Sequence, residues 1–165
     1  MKLVHYTGDP LPPIIEIEQQ PWQHKPRGLW VSDDSMDMTW PDYVKGTSLR
    51  WMSNFSFKHA YEIRLFRSHN VLIMRTVKEI ETFVCEFLGT TLDNLQDVAF
   101  HPFPWVDVAK RYDGLIITPW EKYTDSPINL LTWHFTWDCA SGCIWNPASI
   151  LSIQKIKVRN PKARR

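Results

Sequence analysis

The sequence predicts an α+β fold with a largely antiparallel sheet. Alternating apolar residues, typical of half-buried strands, occur near both ends of the chain, at residues 3–7 and 149–158. The clearest helical pattern lies between them, at residues 78–89. Strands and helices do not alternate regularly, so the strand–helix–strand order of a parallel α/β sheet is not expected.

The first third of the chain contains two predicted strands and the start of a helix. The first strand, LVHYT at 3–7, ends at the prolines of GDPLPP, and residues 14–20 are compatible with one or two helical turns. The second strand, GLWVS at 28–32, precedes an acidic stretch at 32–44 that predicts a helix start, since acidic residues stabilise the positive end of the helix dipole. Three residues are candidate caps for this helix: Ser32, Asp33 or Ser35.

The middle of the chain predicts a β-hairpin followed by the best-defined helix. Residues 61–66 (YEIRLF) and 70–76 (NVLIMRT) read as strands separated by the turn-like SHN, so we expect them to pair. Apolar residues recur at helical spacing through 78–89. Thr76 is the expected N-cap of this helix, and Gly89 is its expected end.

The last third predicts one short helix and a group of strands. An amphipathic helix at 105–114 leads into an apolar strand at 115–118. Three further strands are expected from their β-branched and aromatic residues, at 130–137, 142–146 and 149–158.

Composition favours a single domain. The chain has 165 residues, of which 44% are hydrophobic, which is enough for one substantial core. We therefore expect one domain over residues 1–154 and a solvated basic tail at 155–165. The formal net charge of +1 gives no general reason to expect that the protein wraps a polyanion.

The sequence shows no signal for a membrane or for secretion. No apolar run approaches the roughly 20 residues that a spanning helix needs, and residues 1–13 lack the apolar segment of a secretory signal. We expect a cytoplasmic monomer that does not contact a membrane. Three cysteines are an odd number in a chain of this size, so no disulfide framework is expected, whereas nine tryptophans indicate aromatic-walled clefts.

His5 is the first candidate functional residue. It lies near the end of the first predicted strand, with Tyr6, Thr7 and Gly8 directly after it. A neutral histidine ring in this place can meet a ribose hydroxyl, and a nearby glycine lets backbone approach a ligand closely. The alternative is a core histidine whose ring is satisfied by backbone groups.

The second predicted strand has a similar arrangement. Gly28 allows close approach, Trp30 supplies an aromatic face, and Ser32 ends the strand. Trp40 and Tyr43, which follow, could form a slot for a flat ring. The alternative for these aromatic residues is ordinary packing between a helix and a sheet.

Together these motifs resemble the ADP-ribosyltransferase superfamily, in the branch shared by diphtheria-type toxins and poly(ADP-ribose) polymerases. The resemblance rests on the His-x-Thr-Gly run at 5–8, the glycine-aromatic-serine strand at 28–32, an aromatic residue about a dozen positions later, and SGCIWNPASIL at 141–151. It covers about forty residues, and the order of the motifs carries more weight than any one of them. The resemblance implies a split β-sandwich of mostly antiparallel sheets with a few peripheral helices, and NAD as the substrate.

The resemblance also implies roles for individual residues. His5 would bond the nicotinamide ribose, the backbone at Tyr6, Thr7 and Gly8 would hold the carboxamide, and an aromatic residue would stack on the nicotinamide. The implied NAD-binding set is His5, Tyr6, Thr7, Gly8, Gly28, Trp30, Ser32, Trp40 and Tyr43. The implied catalytic set is His5, Tyr43, Asp138 and Ser141.

The sequence departs from the family at the catalytic glutamate. Ser141 stands where the family places that glutamate, and Asp138 is the nearest acid. A fixed carboxylate normally stabilises the cation-like sugar of the transition state. Three alternatives are open: Asp138 replaces the glutamate, Glu121 or Asp125 moves in from the preceding loop, or the protein binds the nucleotide with little turnover.

Other chemistries have less support. His134, Asp138, Cys139 and Cys143 are metal-ligand types, but one Cys-x3-Cys motif without a second pair does not predict a zinc site, so no metal is expected. A Cys139 nucleophile with His134 as its base would require the CAS segment to turn, because five residues along a strand place two side chains on opposite faces. Transfer to an RNA 2′-phosphate would need clustered arginines, and Arg27, Arg50, Arg64 and Arg75 are scattered along the chain.

The sequence thus leads us to expect a mono-ADP-ribosyltransferase that moves ADP-ribose from NAD to a protein or nucleic-acid acceptor, as a bacterial or phage effector. The alternative is a catalytically weak NAD- or nucleotide-binding module, or a protein-interaction module, on the same fold. Such a protein would act as a sensor or an inhibitor.

Overall fold

The computed structural model describes residues 1–46, 57–120, 126–135 and 137–158. Within these ranges the chain forms one mixed sheet with short helices around it. The strands are β1 (Leu3–Thr7), β2 (Leu29–Asp33), β3 (His59–Leu65), β4 (Val71–Met74), β5 (Gly114–Ile117), β6 (Ser141–Ile144) and β7 (Ile150–Ile156).

The sheet has the strand order β4-β5-β6-β2-β1-β3-β7. Only the β4–β5 pairing is parallel among these strands; the other five are antiparallel. β6 joins the β4–β5 pair to the remaining four strands. Ser32 of β2 pairs with Val4 of β1 on one side and with Ser141 of β6 on the other, so the two ends of the sequence meet at the centre of the sheet.

The described helices are short except for one. They are α1 (Trp40–Gly46), α2 (Val77–Leu88), α3 (Trp105–Ala109) and α4 (Thr132–Phe135), with 3-10 helices at Leu92–Asp97, Pro127–Leu130 and Pro147–Ser149. In α2, Thr76 and Glu79 form a reciprocal capping box, and Gly89 ends the helix in the left-handed conformation with φ of 61°. The boundaries of α2 are therefore fixed by local sequence.

Apolar side chains form two clusters, because successive residues of a strand point to opposite faces of the sheet. Leu115 and Ile117 of β5 belong to the larger cluster, which also holds buried side chains of α2, α3 and α4. Ile116 belongs to the smaller cluster, which combines residues from both halves of the sheet. Its buried members are Leu3, Leu29, Val31, Ile63, Val71, Ile116 and Ile144.

Asp33 fixes the end of β2. Its buried carboxylate accepts hydrogen bonds from the Lys2 N–H (2.9 Å), from the Ser35 N–H and hydroxyl (3.1 and 2.6 Å) and from the Thr118 hydroxyl (2.7 Å). Burial alone would raise the pKa of Asp33, but these bonds together lower it. The charged carboxylate thus ties the ends of β2 and β5 together.

The structure confirms the α+β class and the predicted α2 helix, and it corrects several local predictions. β3 and β4 do not form a hairpin: β3 pairs with β1 and β7, and β4 pairs with β5. The strand expected at 130–137 is wrong, since this segment begins with the end of a 3-10 helix and continues into α4. Residues 14–20 are not helical.

Two boundaries also differ from the prediction. α1 begins at Trp40, much later than a cap at Asp33 or Ser35 would place it, although the Trp40 N–H does donate to the Ser32 hydroxyl at 3.0 Å. Lys155 and Ile156, expected in the tail, belong to β7 and pair with β3. The rest of the tail from residue 159 lies outside the described residues, and no described helix is long and apolar enough to cross a bilayer.

Candidate functional site

A cavity of about 380 Å³ lies where β1, β2 and the segment that leads into β6 meet. Its volume is within the range of small-molecule sites, and its walls are mostly apolar. The described residues that line it are Val4, His5, Tyr6, Lys25, Trp30, Val31, Ser32, Trp40, Trp137, Cys139 and Ser141. We call it the His5 cavity.

His5 is held by a backbone group and still reaches the cavity. Its Nδ1 lies 2.7 Å from the carbonyl oxygen of Trp30. Because a carbonyl can only accept, Nδ1 carries the proton, and Nε2 of the neutral ring is left as an acceptor. Burial lowers the pKa of His5, and the bond to Trp30 opposes this only in part, so the ring is neutral at pH 7.

Ser32 and Trp40 connect the cavity to α1. The Ser32 hydroxyl accepts from the backbone N–H of Trp40, which fixes the start of α1 beside the strand. The rings of Trp40 and Tyr43 stack with centroids 5.7 Å apart. Trp40 therefore faces the His5 cavity with Tyr43 behind it, and Tyr43 itself does not line this cavity.

Asp138 and Tyr43 line a neighbouring cavity of about 580 Å³, which we call the Asp138 cavity. Burial together with a hydrogen bond to Asp138 raises the pKa of Tyr43 to about 12, so Tyr43 is a neutral donor. The Asp138 charge also acts on Lys25 and Cys139, which line the His5 cavity. Asp138 thus lies at the boundary between the two cavities.

The structure brings together only part of the predicted site. His5, Tyr6, Trp30, Ser32, Trp40 and Ser141 line the His5 cavity, whereas Thr7, Gly8, Gly28, Tyr43 and Asp138 do not. Gly28 has a different role: a Cβ added there would lie 2.4 Å from the carbonyl oxygen of Ile144. Its close approach is to strand β6 and not to a ligand.

Lys25 and Trp137 are among the lining residues that sequence reasoning did not assign to the site. Lys25 lies in the loop before β2, and its Nζ is 5.3 Å from the centroid of the Trp30 ring. The rings of Trp30 and Trp137 have centroids 4.9 Å apart. Lys25 lies before the predicted second strand and belongs to none of the recognised motifs, and Trp137 falls in a predicted strand that does not form.

The cysteines are protonated thiols. Burial raises the pKa of Cys139 to about 11 and that of Cys143 well above its usual value. A protonated thiol is a poor nucleophile and a poor metal ligand, and no group of three metal-ligating side chains occurs among the residues that the structure describes. Glu121 and Asp125, considered as alternative acids, lie outside the described residues.

Comparison with known proteins gives no relative for this chain: no family model, curated protein or solved structure matches it. The functional argument therefore rests on the residues of the two cavities.

Proposed function

We propose that the His5 cavity binds NAD and that the protein transfers ADP-ribose from NAD to a macromolecular acceptor, with release of nicotinamide. One observation carries this proposal. Residues chosen from separate motifs of the sequence, His5, Trp30, Ser32, Trp40 and Ser141, line a single cavity.

The chemistry of these residues suits a nicotinamide riboside. The free Nε2 of His5 accepts a hydrogen bond from a ribose hydroxyl, and the indole rings of Trp30 and Trp40 provide flat apolar walls for the nicotinamide. The Tyr6 hydroxyl already donates to Asp34, so Tyr6 offers its backbone to the carboxamide. The smaller apolar cluster, shared by strands of both halves of the sheet, supports a folded-over arrangement similar to a split sandwich.

Asp138 has a place in the proposed reaction because it lies between the two cavities. The bond between ribose C1′ and the nicotinamide nitrogen breaks, and nicotinamide leaves with the electron pair. The Asp138 carboxylate stabilises the cation that develops at C1′. An O–H or N–H nucleophile of the acceptor, placed in the Asp138 cavity, then forms the new bond to C1′ and gives its proton to Asp138.

A second function is favoured by one observation. Among the described residues that line the His5 cavity there is no carboxylate. Asp138 instead accepts a hydrogen bond from Tyr43 in the adjoining cavity. This arrangement suits a module that binds the nucleotide without turning it over. Such a protein would act as a sensor or inhibitor.

The test measures NAD binding by calorimetry and nicotinamide release by chromatography on the same preparations. The variants are His5→Ala and Asp138→Asn, and the control is Asp107→Asn, which alters an exposed carboxylate on α3. If the protein is a transferase, the wild type and the Asp107→Asn control release nicotinamide equally. The Asp138→Asn variant then still binds NAD but no longer releases nicotinamide. Binding without release from the wild type identifies the binding module, and absence of NAD binding contradicts both functions.

A further inference from the structure

Tyr43 connects the two cavities through two contacts of one side chain. It lies three residues after Trp40 on α1, which places the two rings on one face of the helix. The rings stack with centroids 5.7 Å apart and an interplanar angle of 22°. Trp40 lines the His5 cavity, whereas Tyr43 lines the Asp138 cavity. The resemblance implied that an aromatic residue such as Tyr43 stacks on the nicotinamide, but this position indicates a different role.

Local hydrogen bonds fix the start of α1, and with it the position of Tyr43. The Thr39 hydroxyl donates to Asp42 Oδ2 at 2.7 Å, and the Asp42 N–H donates back to the Thr39 hydroxyl at 3.4 Å. The Trp40 N–H donates to the Ser32 hydroxyl at 3.0 Å, which attaches the helix to β2. The Tyr43 N–H donates to the Thr39 carbonyl at 2.9 Å, so Tyr43 is held one turn away from this attachment.

The Tyr43 hydroxyl donates a hydrogen bond to the Asp138 carboxylate. Asp138 lies in the segment between α4 and β6, directly before Cys139, which lines the His5 cavity. A carboxylate on a connecting segment has several side-chain rotamers open to it, and a fixed donor favours the rotamer that makes the bond. Hydrogen bonds to a charged acceptor are stronger than those between neutral groups. Tyr43 therefore restricts where the Asp138 carboxylate can lie.

We infer that Tyr43 is a positioning residue, whose hydroxyl holds Asp138 at the boundary between the two cavities and whose ring supports Trp40. The inference rests on the proposed transfer reaction and assigns to the Tyr43 hydroxyl an effect on its rate. A carboxylate stabilises the cation at C1′ only when it is correctly placed, and small displacements of a catalytic group lower a rate strongly. Loss of the hydroxyl should therefore slow cleavage of the glycosidic bond and leave NAD binding unchanged.

The experiment compares the wild-type full chain with Tyr43→Phe, Tyr43→Leu and the control Tyr112→Phe. Phenylalanine keeps the ring that stacks on Trp40 and removes only the hydroxyl, whereas leucine removes both. Tyr112→Phe removes the hydroxyl of a tyrosine that lines neither cavity. Nicotinamide release gives kcat and KM for NAD, and circular dichroism establishes that each variant is folded. Urea denaturation of Tyr43→Phe, Asp138→Asn and the double variant measures the coupling between the two side chains.

We expect Tyr43→Phe to lower kcat about tenfold with KM unchanged, since a hydrogen bond to a charged group corresponds to a factor of this size. Tyr43→Leu should lower kcat to the same extent and also raise KM about fivefold, because the Trp40 ring loses the ring behind it. The control should equal the wild type. In urea, the double variant should lose less stability than the sum of the losses of Tyr43→Phe and Asp138→Asn, because the hydroxyl acts through the carboxylate.

Three results overturn the inference: a wild-type kcat in Tyr43→Phe, a raised KM with unchanged kcat in that variant, or additive losses of stability in urea. The first would leave Tyr43 only its ring contact, and the second would place its hydroxyl on NAD. If the wild type releases no nicotinamide, the proposed transfer is contradicted, and the urea experiment alone decides whether Tyr43 positions Asp138. Losses smaller than the sum then leave the inference standing, and additive losses overturn it.

Discussion

His134 is expected to make the stability of the protein depend on pH. Its side chain is 1% exposed, and neither ring nitrogen has a hydrogen-bond partner among the residues that the structure describes. The ring packs between Trp120 and Trp133, with centroids 4.9 and 5.6 Å away. Burial lowers the pKa of His134 from 6.5 to about 4, because the charged ring would lose its contact with water.

The direction in which stability changes with pH follows from the number of protons that the folded and unfolded states bind. Below pH 6.5 the unfolded chain protonates His134, whereas the folded protein keeps it neutral until about pH 4. The contribution of neutral His134 to the free energy of unfolding is therefore complete above the pKa that His134 has in the unfolded chain. It is lost as the pH falls through the pKa that His134 has in the folded protein. At about 1.4 kcal/mol per pKa unit, the full loss is about 3 kcal/mol, of which about 2 kcal/mol is lost by about pH 5.

The perturbation is His134→Phe, which keeps an aromatic ring and removes both nitrogens. Urea denaturation at about pH 7.5 and about pH 5 gives the free energy of unfolding of each protein. Comparing the variant with the wild type cancels the contributions that other titrating groups, such as His5 and the carboxylates, make to the pH dependence. The free energy of unfolding of the wild type should fall by about 2 kcal/mol more than that of the variant between these pH values.

An exposed histidine provides the control. His101→Gln, at a surface position, should follow the wild-type pH profile. If His134→Phe and the wild type lose stability in parallel, the ring is not held neutral by burial and the reasoning is wrong.

Two further predictions concern the sheet. Asp33→Asn removes a charged acceptor of several hydrogen bonds, so it should lower the free energy of unfolding at pH 7 by about 2 kcal/mol in urea denaturation, with Asp93→Asn on the surface unchanged. Gly142→Ala would place a Cβ 2.5 Å from the Leu115 carbonyl oxygen and 2.4 Å from Ile116 Cγ1, so it should cost about 1–3 kcal/mol in the same assay. A variant of Gly142 as stable as the wild type would show that β5 and β6 can separate without cost.

Local sequence predicted the elements whose boundaries depend on local chemistry. The capping box of Thr76 and Glu79 and the left-handed Gly89 fix α2 through neighbouring residues alone, and β1 was placed correctly by its alternating pattern. The true partners of β3 and β4 could not be predicted in this way. β3 pairs with β7 and β4 pairs with β5, both of which lie far along the chain, whereas adjacency in sequence wrongly favoured a hairpin.

The segment at 130–137 shows why composition can mislead. Its aromatic and β-branched residues are typical of a strand, but Ser126 caps a 3-10 helix at Pro127, and the tryptophans that follow pack in the larger apolar cluster. Here tertiary packing overrode the local preference of the residues. The same error hid Trp137 from the predicted site, while His5 and Ser141 were found because their motifs stand at the ends of strands that did form.

The position of β6 has a consequence for synthesis of the chain on the ribosome. Among the described strands, β6, at residues 141–144, is the only one that joins the β4–β5 pair to the other four strands. Until this late segment has emerged from the ribosome, β2 and β5 are both sheet edges with unpaired backbone groups, and β3 lacks its partner β7. A nascent chain stopped before residue 141 would therefore expose several unpaired strand edges and be prone to aggregate, and closure of the sheet must follow translation of β6 and β7.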